Sequence, residues 1–150
     1  MLPLSYGLRS GGWSDRALLR QFLQATYQEL FPNLQDFSSL KETVDIFLSP
    51  ATPLWFVEEA TGSAIACLWL GTALDQALGK PHSQILLLYV VPEQRRLGIG
   101  KALIHKAETW ARERGDRQIG LQVFVDNQKA INLYQNLGYE TQSLLMIKSW

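Results

Sequence analysis

The residues best placed to do chemistry lie in one run, Pro92-Glu93-Gln94-Arg95-Arg96-Leu97-Gly98-Ile99-Gly100-Lys101. An apolar stretch precedes the run and a helix-period pattern follows it, which is where an anion-binding loop sits at a helix tip. The first turn of a helix leaves backbone N–H groups without internal partners, and the helix dipole puts partial positive charge on them. A diphosphate can take those donors where no side chain blocks its approach, and Gly98 and Gly100 remove two such side chains. Gly100 has little other justification, because glycine inside a helix costs ~1 kcal/mol relative to alanine. Two familiar phosphate loops are excluded by spacing. Ala102 and Leu103 follow Gly100, so the Gly-x-Gly-x-x-Gly dinucleotide pattern is missing, and so is a Gly-Lys-Ser/Thr ending.

Other reactive side chains do not assemble into a site. His82 and His105 have no metal-type spacing, and the only cysteine is Cys67, so no zinc ligand set is expected. Cys67 lies in an apolar strand pattern and reads as a small buried side chain. It can form no internal disulfide, which fits a reducing compartment. His82 reads as a loop residue and His105 as solvated. Glu58 and Glu59 are adjacent in a strand and point to opposite faces. The tryptophans at 13, 55, 69 and 110 read as core or interface filler.

Composition sets the surroundings. The chain has 150 residues, a length that suits one domain spanning 1–150. Lysine plus arginine total 14 and aspartate plus glutamate total 14, while 47% of residues are hydrophobic. A balanced charge argues against nucleic-acid or membrane-surface binding, both of which need a basic field. Arg95, Arg96 and Lys101 form a small patch, better matched to a phosphate ligand than to a polynucleotide. The longest apolar runs, Ala64 to Leu70 and Ile85 to Val91, hold seven residues each, against the ~20 a membrane helix needs. Arg9, Gly11 and Gly12 come before any hydrophobic stretch, so no secretory signal is visible. The expectation is a cytoplasmic domain.

The elements that must position the loop follow from periodicity. A strand over Ser5 to Arg9 gives way to a helix capped by Ser14, with Leu18, Leu19, Phe22, Leu23, Thr26 and Leu30 at helical spacing. A second helix starts at a Ser39–Glu42 capping box and stops at Pro50. Leu54 to Glu58 and Ala64 to Leu70 read as an antiparallel pair, and Gly71 to Pro81 as a loop. Gln84 to Val91 reads as a central strand apolar on both faces. Ile99, Leu103, Ala107, Trp110 and Ala111 line a helix that ends at Gly115. Gln118 to Val125 is expected as a strand parallel to Gln84–Val91, because a helix joins the two. A short helix capped by Asp126 or Asn127 runs to Gln135, and one or two strands close the chain over Tyr139 to Trp150.

Two motifs then meet in order. Arg95-Arg96-Leu97-Gly98-Ile99-Gly100 resembles the Arg/Gln-x-x-Gly-x-Gly/Ala signature of the GNAT acetyltransferase superfamily, which binds acetyl-coenzyme A. The run from Asn127 to Tyr139 resembles that superfamily's Asn-x-x-Ala-x-x-Leu-Tyr-x-x-x-Gly-Phe/Tyr block. The resemblance covers roughly Gln84 to Tyr139. It implies the α/β (α+β) acyl-CoA N-acyltransferase fold, a mixed central sheet of about six to seven strands with a splayed parallel pair and about four helices.

The resemblance also implies roles. The pantetheine arm of acetyl-CoA would lie in the splay and take backbone bonds from Leu88 and Val90, with Val91 close by. Arg96, Gly98, Ile99, Gly100 and Lys101 would offer N–H groups to the diphosphate, and Arg95 belongs to the same cofactor-binding motif. Asn127 would contact the pantetheine arm, and Tyr134, two helical turns on and on the same face, would sit near the sulfur. A phenol with a pKa of ~10 is protonated at neutral pH and can act as general acid to the leaving thiolate. Fourteen residues before Gly98, where certain relatives carry a glutamate base, this chain has Gln84. Glu29, Tyr27, Asp75 and His82 lie on segments that can line the acceptor side, and the sequence does not choose among them. The acceptor is a small-molecule amine or a protein amine; a CoA-binding module without turnover is the rival of another class, and a homodimer stays open.

Overall fold

The computed structural model describes residues 2–150. Five strands form one sheet in chain order: β1 (Tyr6–Ser10), β2 (Leu54–Glu59), β3 (Ala64–Leu74), β4 (Pro81–Val90) and β5 (Ile119–Leu121). The first four pair antiparallel, and β5 pairs parallel to β4. Helices α1 (Arg16–Leu30) and α2 (Leu40–Phe47) precede β2, α3 (Ile99–Arg114) crosses from β4 to β5, and α4 (Gln128–Asn136) follows β5.

The sheet separates two apolar clusters. On one face Leu19, Phe22 and Leu23 of α1 and Leu40 and Val44 of α2 pack on Phe56, Trp69, Leu87 and Tyr89. On the other, Ile99, Leu103 and Ala107 of α3 pack on Val57, Leu68, Leu70 and Ile85. Strand alternation sends side chains to both faces, which is why a sheet covered on two sides needs the unbroken apolar runs in β3 and β4. Cys67 is fully buried, and its thiol is pushed well above its ordinary value by burial, so it is inert core.

Several element ends depart from the sequence reading. The Gly71–Pro81 loop shrinks to a turn: β3 runs on to Leu74 and β4 begins at Pro81. Asp75 closes that turn by accepting the backbone N–H of Ala77 and Leu78 at 2.8 and 3.0 Å. Ser14 is not the cap of α1. It lies in a 3-10 turn, Trp13–Asp15, in which Asp15 Oδ2 accepts the Gly12 N–H at 3.0 Å. Ser39 precedes α2 in helical geometry and makes no side-chain cap bond. Trp55 and Trp69 are buried as expected, but Trp13 is 54% exposed, with the Arg16 guanidinium 4.7 Å from its ring centroid. The expected strand Gln118–Val125 is reduced to Ile119–Leu121, and Tyr139–Trp150 forms no strand, so the described residues give five strands instead of six or seven. β5 leaves β4 after three residue pairs, and residues 139–150 do not pair with its other edge.

One polar group anchors the paired end of that short ladder. Asp116, in the turn after α3, accepts the Ser83 backbone N–H at 2.7 Å and its hydroxyl at 2.5 Å, and pairs with Arg114 at 2.9 Å. Ser83 is fully buried. Burial alone would raise the Asp116 carboxyl, but Arg114 and the two Ser83 donors outweigh it and hold the group below the usual carboxylate range. The folded state therefore favours the ionised form. Its contribution is complete above the unfolded pKa of ~3.9 and is lost as pH falls through the lower folded value. Asp116→Asn is expected to cost about 2 kcal/mol at neutral pH, the scale of charge-assisted hydrogen bonds, or about 4–8 °C in Tm for a domain of this size. Melting curves from pH 7 downward check it: the gap to wild type should narrow below pH ~4.

Candidate functional site

The splay creates the site. Pairing of β4 with β5 covers Ser83–Ile119, Gln84–Gly120 and Ile85–Leu121, while β4 continues to Val90. The direction of its free backbone groups follows from the antiparallel ladder with β3. The Val91 N–H donates to Ile65 at 2.9 Å, so alternate residues 89 and 87 also turn inward to β3. Leu88 and Val90 therefore turn their N–H groups outward into the gap, while the Val90 carbonyl is taken by Arg95. Of the three backbone positions expected there, Val91 spends its N–H on the sheet and the other two face the opening.

The glycine run sits over the end of this strand. Arg96 and Gly98 both adopt left-handed backbone, with φ of 66° and 82°, an arrangement that turns successive N–H groups to one side as an anion-binding nest does. The first α3 bond runs from the Ala102 N–H to the Gly98 carbonyl at 3.0 Å. The N–H groups of Ile99, Gly100 and Lys101 thus precede the helical ladder and have no acceptor among the described residues. Nothing lies within 4 Å of a Cβ built on Gly98, and one built on Gly100 would meet only Leu88 and Val90 side chains at 3.9 Å. That is ordinary contact. Packing does not require glycine at 100, so its openness serves something outside the protein. The donor set fits a diphosphate: oriented amides at a helix tip, an unfilled approach, and the exposed side chains of Arg96 and Lys101 beside it.

Arg95 behaves differently. Its Nη2 donates to both Glu29 carboxylate oxygens at 2.7 and 2.9 Å, its Nε donates to the Val90 carbonyl at 2.7 Å, and its guanidinium lies 5.4 Å from the Tyr89 ring centroid. The Tyr89 hydroxyl donates to Glu29 at 3.1 Å. Arg95 therefore ties the end of β4 to the last turn of α1, on the face opposite α3. Tyr27 of that helix and Phe31 just after it reach the segment after β5, with Phe31 edge-on to Phe124 at 5.0 Å and Tyr27 at 6.5 Å. The end of α1 so spans the gap, touching β4 through Glu29 and the far side through aromatic rings. Tyr89, Phe31 and Phe124 escaped the sequence reading; the one signal was a hydroxyl on an otherwise apolar strand.

The other acceptor-side candidates fall away from this mouth. Asp75 caps its turn and accepts Gln118 Nε2 at 3.1 Å, and the His82 ring lies against Gly120. Asp75 lies in the turn before β4 and His82 at its start, roughly 26 Å of strand from Val90. Gln84 is in the paired part of the ladder.

The second motif is only partly drawn in. Asn127 caps α4 by accepting the Ala130 N–H on Oδ1 at 3.3 Å, leaving its amide donors free. Tyr134 is half-buried, and burial pushes its phenol up to about 12. Its ring meets Tyr139 edge-on at 5.6 Å, and the Tyr139 hydroxyl donates to Glu108 of α3 at 2.9 Å. Among the described residues no hydrogen bond or ring contact joins Tyr134 to β4 or to the glycine run. Among those residues too, no group of three His, Cys, Asp or Glu side chains is arranged to hold a metal, and no helix is long and apolar enough to cross a membrane.

Comparison with known proteins agrees with this geometry. An uncharacterised N-acetyltransferase of Methanocaldococcus jannaschii is 34% identical over 101 residues, 64% of this chain and 42% of that protein; the chain thus spans less than half of that relative's length. An acetyl transferase of Pyrococcus furiosus shares the fold with a TM-score of 0.78 at 23% identity, over 97% of this chain and 99% of the other. An aminoglycoside N-acetyltransferase solved in complex with CoA superposes with a TM-score of 0.71 at 20% identity, over 97% of this chain and 94% of that one. The model of the acetyltransferase (GNAT) family matches residues 17–139, both signature blocks included, and the chain belongs to that family.

Proposed function

We propose that the protein is an N-acetyltransferase that moves the acetyl group of acetyl-CoA to a small primary amine by direct attack. The observation that carries this reading is the open helix tip beside the unpaired edge of β4. The N–H groups of Ile99, Gly100 and Lys101 hold the diphosphate, and the pantetheine arm runs along Leu88 and Val90. An N–H of that edge then faces the thioester carbonyl, where it stabilises the charge that develops on oxygen. The neutral amine attacks the carbonyl carbon, a C–N bond forms, and the C–S bond breaks to release the thiolate. The amine's surplus proton leaves to solvent. Tyr134 donates a hydrogen bond to the departing sulfur, and a phenol raised to about 12 keeps its proton throughout the range in which amines are neutral enough to react.

The acceptor enters from the α1 face, because the coenzyme fills the α3 side of the gap. There the rings of Tyr27, Phe31 and Phe124 suit an ammonium through their electron-rich faces, beside a Glu29 carboxylate that Arg95 already pairs. That chemistry favours a small cationic amine, while the fold relatives include both an aminoglycoside N-acetyltransferase and a ribosomal-protein-alanine N-acetyltransferase, so the test carries both kinds of acceptor. The experiment is thiol release from acetyl-CoA across a panel of mono- and polyamines, aminoglycosides and lysine peptides. Release with small cationic amines is the expected result. Tight acetyl-CoA binding with no release for any amine would instead identify a coenzyme-binding module.

A further inference from the structure

Arg96, with φ of 66°, is the one non-glycine residue among those described whose backbone is left-handed. A side chain disfavours that conformation, which persists only where the surroundings over-determine it. The Arg96 side chain is itself exposed, so the two residues before it must do the holding. Arg95, in extended backbone, turns its guanidinium to the α1 face, where Glu29 and the Val90 carbonyl take it. Gln94 turns the other way. It ends the 3-10 turn Pro92–Gln94 and is half-buried, while its neighbours from 92 to 98 are all exposed. Its Oε1 accepts the Tyr6 hydroxyl, and its Nε2 reaches Glu59 at 3.5 Å. Tyr6 and Glu59 face one another across β1 and β2, and Tyr6 packs against the apolar cluster of α3. Two successive side chains thus clamp the turn from both faces of the sheet, and the strained residue follows directly.

We infer, on the reading that acetyl-CoA uses the α3 tip, that Tyr6 acts through Gln94 as a positioning residue for the diphosphate. It holds the loop in the conformation whose N–H groups face the ligand. A single tether at Arg95 leaves the turn free to pivot about the end of β4, and a second tether on the opposite face removes that freedom. Packing does not account for the hydroxyl, because the Tyr6 ring lies against the apolar cluster and phenylalanine would fill the same space. What the hydroxyl adds is a bond to a residue eighty-eight positions away, and that residue lies two places before the strained one. Without the bond the loop relaxes toward right-handed backbone at Arg96, and the fraction of molecules ready for the diphosphate falls. Apparent affinity drops by that same fraction, about tenfold for the cost of one left-handed non-glycine residue.

The test is acetyl-CoA binding by titration calorimetry, with a cooperative melt of each free variant to show that it is folded. Tyr6→Phe keeps the ring, removes the hydroxyl and should weaken acetyl-CoA about tenfold. Gln94→Met, of similar length but without the amide, should reproduce that loss from the other end of the bond. The same comparison is then made in an Arg96→Gly background. Glycine takes left-handed backbone without strain, so Tyr6→Phe should there change affinity by less than about threefold, whatever Arg96→Gly itself does. A merely structural role for Tyr6 would give the same factor in both backgrounds, as independent sites do. An equal loss in both backgrounds, or a Tyr6→Phe protein within about twofold of wild type, overturns the inference and leaves the coenzyme reading standing. Wild-type protein that binds no acetyl-CoA overturns both.

Discussion

Gly100→Val is expected to abolish the thermal protection that acetyl-CoA gives, with the melting temperature of the free protein unchanged or slightly raised. A ligand present at a hundred times its Kd stabilises the fold by about 2.7 kcal/mol, which in a domain of this size is a Tm rise of roughly 5–10 °C. That rise depends on amide hydrogens reaching a diphosphate at the α3 tip, and a branched side chain at 100 would stand in its path. The free protein has no reason to suffer. A Cβ at that position meets only Leu88 and Val90 at 3.9 Å, and the ~1 kcal/mol that alanine gains over glycine in a helix is largely offset for β-branched valine. Gly98→Ala is the contrasting control, because φ of 82° strains any other residue by ~1–2 kcal/mol. It should lower the melting temperature of the free protein, whereas Gly100→Val should not. Calorimetric or dye-based melting with and without acetyl-CoA separates the two. Full protection in Gly100→Val would show that the coenzyme does not use this helix tip.

The sequence was most informative where one physical constraint acts alone. The seven-residue apolar run ending at Val91 had to be a strand covered on both faces, and β4 is one, with α1 and α3 on opposite sides. Gly98 and Gly100 broke a helical pattern at its start, and no packing demand accounts for Gly100. Gly115, with φ of 94°, ends α3 where it was expected to. What stayed hidden depends on partners distant along the chain. Arg95 looked like one more cation of the phosphate run, yet its guanidinium is held by Glu29, a residue sixty-six positions earlier. Capping followed the same pattern, since Ser14 and Ser39 have the right chemistry but the chain enters both helices through other geometry. The C-terminal strands were inferred from residue type alone, and type does not say whether a neighbour is present to pair with. A strand needs that neighbour, and β5 diverges from β4 after three residue pairs.

Tyr134→Phe is expected to leave acetyl-CoA affinity within about twofold and to lower turnover ~10-fold or more, the scale of a lost proton donor in the transition state. The structure makes this a demanding test, because α4 contributes no buried residue and the Tyr134 ring meets Tyr139 edge-on. If the phenol acts on the departing sulfur, it meets the coenzyme through that one atom. The effect should then appear in kcat with the amine KM little changed, since the hydroxyl touches only the leaving group. The pH profile distinguishes this role from a structural one. A phenol raised to about 12 adds no falling limb near its ordinary value of ~10, so the wild-type rate should hold its plateau there while the phenylalanine variant runs parallel and lower. Because the ring itself stays, its contact with Tyr139 survives, and the variant's melting temperature should match wild type within about 2 °C, well short of the loss that vacating a core site causes. A rate equal to wild type would remove Tyr134 from the chemistry. The thiolate would then depart with backbone and solvent donors alone.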